Sequence, residues 1–110
     1  MTREDLPTRR GAITVNFNHA LDRGGQAFPF RVTFSAYTDG RLAELFLNSA
    51  GVLGTAIDVG ARDAAIAASL ALQFGCPAET LRHALTRDGD GTPSGVLGRA
   101  LDEIAKVNAS

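Results

Sequence analysis

The sequence predicts an α+β domain: a three-stranded antiparallel sheet followed by three helices packed on one of its faces. Three observations carry that expectation. Two segments alternate apolar and polar residues with a period of two, an Asp39-Gly40 dipeptide stands where a hairpin must turn, and a long alanine-rich helical pattern precedes two shorter ones. The 110 residues suffice for a single core, expected over residues 11–110. Residues 1–10 alternate charges, include Pro7 and lack an apolar period, so they are expected to form a flexible tail.

In the first strand Ile13, Val15 and Phe17 alternate with Thr14, Asn16 and Asn18, the pattern of a strand with one buried face. The alternation is lost across residues 19–27, where Asp22-Arg23-Gly24-Gly25 predicts a flexible loop. Phe30, Val32, Phe34 and Ala36 then alternate with Arg31, Thr33, Ser35 and Tyr37 before the Asp39-Gly40 turn. A two-residue turn there sets Ala36 against Ala43, Phe34 against Leu45 and Val32 against Leu47, six apolar residues on one face. Tyr37, Ser35 and Thr33 then face Leu42, Glu44 and Phe46 on the other, a mixed surface that is either solvated or covered by a partner.

A glycine-punctuated link, Gly51-Val52-Leu53-Gly54, leads to a helix expected over residues 56–74, with Thr55 as N-cap, Asp58 in the first turn and Gly75 as terminator. Asp58, Arg62, Ser69 and Gln73 make a narrow polar stripe on the helical wheel, and Ile57, Ala64, Ile66, Ala67, Leu70, Ala71 and Phe74 cover most of the rest. That pattern predicts a central, mostly buried helix. Pro77 and Glu79 open a second helix with Leu81, Ala84 and Leu85 as its apolar edge. A loop at residues 88–93 separates it from a third helix over residues 94–107, which buries Val96, Leu97, Ala100, Leu101 and Ile104.

Eleven basic and twelve acidic residues leave a formal charge of −1, which argues against the basic surface that nucleic-acid binding needs. No apolar run reaches the ~20 residues needed to span a bilayer, so no membrane partner is expected. The polar N-terminus offers no signal peptide, and the one cysteine, Cys76, suits a reducing compartment; the expected location is the cytoplasm.

The most site-like segment is the link into the long helix, where the amides of Gly54, Thr55, Ala56 and Ile57 would point along the positive end of the helix dipole. A small anion or a nucleotide phosphate is the ligand this geometry would take, although the Lys and spacing of a Walker loop are missing and turn glycines before a capped helix account for the same residues. Asp63 falls on the apolar side of the wheel, so it is expected to be buried against Arg82 or Arg99 and to fix helix packing. Asp88, Asp90 and Thr92 have the opening of a calcium loop, but Pro93 stands at position six and Arg99 at position twelve, which excludes the ion. His19 and His83 have no ligand-spaced companions, Cys76 has no nearby base in sequence, and no nucleophile–base pattern occurs. No catalytic residue, metal or cofactor is therefore expected.

The run Asp39-Gly40-Arg41-Leu42-Ala43-Glu44-Leu45-Phe46-Leu47-Asn48, the glycine link, and Leu70-Ala71-Leu72-Gln73-Phe74-Gly75-Cys76-Pro77-Ala78-Glu79 with Leu81 and Leu85 resemble the TSCPD domain over residues 28–101. That domain occurs at the C-terminal end of adenosylcobalamin-dependent ribonucleotide reductases and as short stand-alone bacterial proteins. Its naming motif, Thr-Ser-Cys-Pro-Asp, is associated with metal binding through cysteines. The corresponding stretch here, Thr92-Pro93-Ser94-Gly95, contains none, so the resemblance brings no metal site. The reductase's radical chemistry belongs to a barrel domain absent from these residues. The resemblance therefore implies a non-catalytic accessory or regulatory module with a reductase subunit as partner. A small anion-binding protein and a self-associating protein that pairs through Tyr37, Leu42 and Phe46 are the competing expectations.

Overall fold

The computed structural model describes residues 2–6, 11–21, 24–50 and 55–109. Strands β1 (Ile13–Ala20), β2 (Ala27–Ala36) and β3 (Leu42–Ser49) pair antiparallel in the order β1-β2-β3. Helices α1 (Thr55–Gln73), α2 (Ala78–Ala84) and α3 (Val96–Ala109) follow. This is the α+β order the alternating and helical periods predict. The sheet's inward residues, Phe17, Phe30, Val32, Phe34, Leu45 and Leu47, form one cluster with Ala61, Ala65, Ala68 and Leu72 of α1 and Ala100, Leu101 and Ile104 of α3. Helix α1 lies over β3 and α3 over β1, while α2 packs against α3.

Val32 pairs with Leu47 and Phe34 with Leu45, as the hydrophobic pattern requires. Nearer the turn the register differs from expectation. Ser35 pairs with Glu44 but Ala36 pairs with Leu42, so a bulge takes up one residue of β3. The turn supplies the reason. Gly40 N–H donates to Tyr37 O (2.9 Å) and Tyr37 N–H to Arg41 O (2.8 Å), which makes a three-residue loop with Gly40 at φ +94°. A two-residue type I′ turn would also need positive φ at Asp39, and among the described residues only glycines have it. The extra residue moves Leu42 from the outer face into the core cluster.

The first connection is also shorter than expected. The β1–β2 ladder continues through His19↔Phe28 and Ala20↔Ala27, so residues 19 and 20 belong to β1. His19 takes an inward position and is buried because its ring has a partner there: Nε2 lies 3.0 Å from Ser94 O. A carbonyl only accepts, so Nε2 carries the proton.

Helix α1 reverses the expectation from the wheel. Its inward face is Ala61, Ala65, Ala68 and Leu72, whereas Ile66 is 54% exposed and Leu70 39%. The polar stripe points at β3. Ser69 Oγ accepts from Leu45 N–H (3.0 Å) and donates to Leu45 O (3.1 Å), and buried Gln73 Nε2 donates to Ala43 O (3.1 Å). Methyl-sized side chains at 61, 65 and 68 let the helix approach closely enough for these bonds. They satisfy edge-strand groups that would otherwise be left open. Gly75, at φ +105°, ends α1, with Gly75 N–H donating to Leu72 O (3.1 Å) and Cys76 N–H to Ala71 O (3.0 Å).

The same reversal places Asp63 on the exposed side of α1, not in a buried pair with Arg82 or Arg99. The carboxylate that ties the helices is Asp102 on α3. Arg82 Nε and Arg87 Nη2 each donate to its Oδ1 at 2.9 Å. Hydrogen bonding from Arg87, opposed by burial and reinforced by Arg82, holds the Asp102 carboxyl down at about 2. Between α2 and α3 the chain makes a small hairpin, with Asp88 N–H donating to Thr92 O (2.8 Å) and Arg87 bridging to Pro93. Gly98 is where α3 meets this hairpin: a Cβ there would stand 3.1 Å from Pro93 Cβ.

Residues 2–6, part of the expected tail, are tied to the domain. Glu4 N–H donates to Gln73 O (2.7 Å), Arg3 Nε to Gln73 Oε1 (2.6 Å), and Arg41 holds the Glu4 carboxylate with both terminal nitrogens (3.0 and 2.8 Å). Tyr37 O–H donates to Glu4 O (3.4 Å), and burial, reinforced by the Glu4 charge, raises the pKa of that hydroxyl.

Candidate functional site

Two surfaces stand out among the described residues, one apolar and one polar. The apolar one follows from the outward face of α1. Val59, Ile66 and Leu70 recur at spacings of seven and four, which puts them on one side of the helix, and all are substantially exposed. Beside them Phe46 of β3, 52% exposed, completes a shallow groove of about 180 Å³ with Ile66, Ser69 and Leu70 as its wall. Arg3 and Glu44 mark its polar rim. Large aliphatic side chains held outward on a helix that buries alanines instead form an exposed apolar patch of the kind associated with protein contacts.

The polar surface is a cleft of about 370 Å³ lined by His19, Asp88, Asp90, Thr92, Ser94 and Arg99. Three separate segments build it: the end of β1, the α2–α3 hairpin and the first turn of α3. Most of its polar atoms already serve the fold. Ser94 Oγ donates to Asp88 Oδ1 (2.6 Å), and Asp90 Oδ1 accepts from Thr92 Oγ1 (2.6 Å) and Thr92 N–H (3.0 Å). These aspartates brace a turn, and no group of described residues has the make-up to hold a metal ion. Arg99 differs. Its Nε is buried without a hydrogen-bond partner, and the residue lines the cleft.

Of the anion-site residues read from the sequence, Gly54 lies outside the described residues, Thr55 begins α1 and Ala56 is exposed in its first turn. Asp58 places a carboxylate in that same turn, where it already complements the dipole. Cys76 is half-buried with Sγ 3.6 Å from Pro77 O, at one side of an apolar hollow that Leu42, Leu72 and Pro77 also line. His83 is exposed on α2. The trio expected to pair copies of the chain through the second sheet face does not form a patch: Tyr37 is buried, Leu42 has joined the core and only Phe46 is exposed. The bulge and the attached residues 2–6 account for the difference.

Sequence reasoning missed both surfaces for identifiable reasons. Ile66 and Leu70 were visible as large apolar residues, but nothing local says that a helix will bury alanine in preference to them. His19, Asp88 and Arg99 are separated by up to 80 positions and share no motif. Comparison with protein-family models, with curated proteins and with solved structures finds no match to this chain. Among the described residues no helix is long and apolar enough to cross a membrane.

Proposed function

We propose that this chain is a non-catalytic accessory module that docks onto a larger protein through the groove between α1 and β3. The resemblance of residues 28–101 to the TSCPD domain supplies the partner class, the catalytic subunit of an adenosylcobalamin-dependent ribonucleotide reductase. The observation that carries the docking reading is the outward apolar face of α1, with Ile66 54% and Phe46 52% exposed. Covering the exposed half of each such side chain is worth about 1 kcal/mol, and two or three of them form the apolar centre of a small interface. Titration calorimetry of the chain against that subunit tests the proposal. Binding that disappears in Ile66→Glu, with the melting temperature unchanged, is the expected result; no heat at ~100 µM of both proteins rejects the reductase as partner.

A second reading rests on the unpartnered Arg99 Nε. It makes the polar cleft a site for a small carboxylate or phosphate compound, including a nucleotide. Thermal melting with a panel of such compounds separates the readings. A rise caused by one compound and abolished by Arg99→Leu favours the cleft, and a flat panel removes it.

A further inference from the structure

We infer that β1 pairs edge to edge with β1 of a second copy, joining two sheets into one six-stranded antiparallel sheet. The inference starts from the direction of the backbone groups. In an antiparallel ladder each residue exchanges both its bonds with one neighbouring strand, and consecutive residues alternate sides. Leu45 N–H and C=O both bond Ser69 Oγ, so Leu45 points away from β2. Its partner Phe34 then points toward β1, where it pairs with Ile13. Pro29 O, which accepts from Ala50 N–H at 3.0 Å on the β3 side, fits the same alternation. Ile13, Val15, Phe17 and His19 are therefore the β1 residues bonded to β2. Thr14, Asn16, Asn18 and Ala20 direct N–H and C=O to the outside.

Among the described residues no side chain or loop bonds these outward groups, whereas α1 spends Ser69 and Gln73 on the opposite edge. Strand β1 also lacks the devices that discourage pairing. It contains no proline, lysine, arginine or carboxylate, and its register with β2 runs through all eight residues without a bulge. A second copy suits this edge better than an unrelated strand because the sequence is complementary to itself. With Asn16 opposite the partner's Asn16, Thr14 faces Asn18 of the partner subunit and Val15 faces the partner's Phe17. The outward residues meet outward residues, giving about six backbone bonds. Polar side chains face polar and apolar face apolar, and the uncharged strand brings no like charges together. Ile13, 48% exposed, gains cover from the partner's His19 on the core face. The arrangement is isologous and closes at two copies.

Sedimentation over ~1–500 µM protein tests the inference, with mass rising from 11.5 kDa to twice that value as the expected course. Asn16→Pro removes an outward N–H without touching a β1–β2 bond, so it should leave the chain folded and monomeric. A second pair of variants reads the register directly and does not depend on tolerance of proline. Thr14→Lys with Asn18→Lys places like charges opposite each other and should weaken association at least tenfold, while Thr14→Lys with Asn18→Glu places opposite charges and should restore it. A mass of 11.5 kDa throughout the range overturns the proposal. So does a dimer that ignores both charge pairs, or one lost in Ile66→Glu instead.

Discussion

Helices α1 and α3 lie side by side on the same sheet and solve burial in opposite ways. Helix α3 turns Ala100, Leu101 and Ile104 inward, so its apolar side chains are consumed by the fold. Helix α1 turns alanines inward, bonds the edge of β3 through Ser69 and Gln73, and leaves Ile66 and Leu70 in solvent. Burial on α3 is therefore a matter of area, and on α1 a matter of close approach and hydrogen bonds. The difference teaches that apolar content alone does not say which face of a helix is internal.

The widest separation between the helices should come from truncation. Ile104→Ala on α3 is expected to cost about 2–5 kcal/mol in urea unfolding. Asp102→Asn tests the ionic tie between α3 and the α2 region and should cost about 2 kcal/mol at neutral pH. The folded carboxyl, held at about 2, titrates below the unfolded value near 4. Its stabilisation is thus complete above about pH 4 and is lost as pH falls toward 2. Melting temperatures of the wild type and Asp102→Asn should converge over that interval; a constant gap would remove the ion-pair account. On α1, Ser69→Ala unpairs both Leu45 backbone groups and should cost about 1–2 kcal/mol. The smallest effect is expected for Ile66→Ala, within about 0.5 kcal/mol. A cost near that of Ile104→Ala would show that the outer face of α1 is internal in solution.

Much of this architecture was legible before any coordinates. The Val32–Leu47 and Phe34–Leu45 pairs follow from alternation, because a slip of one residue would expose the whole apolar set. The bulge was not, since Gly40 satisfies a two-residue and a three-residue turn equally well until the φ of Asp39 is known. Counting apolar residues around α1 misplaced Ile66, Leu70 and Asp63 together, because the decisive partners, Leu45 and Ala43, are backbone groups that carry no sequence signal. The wheel assigns the buried ion pair to Asp63, whereas the carboxylate that joins Arg82 to α3 is Asp102. The cleft at Arg99 is out of reach for a different reason: it exists only where the end of β1 meets residues 88–99, about 70 positions further along the chain.

The extra residue opposite Ala36 acts as a phase shifter between turn and strand. A two-residue turn at Asp39-Gly40 would instead set Ala43 opposite Ala36, restore strict alternation and swing Leu42 outward, emptying its place in the interior while adding grease to the surface. Length in this hairpin, as much as composition, thus decides which side chains the interior receives.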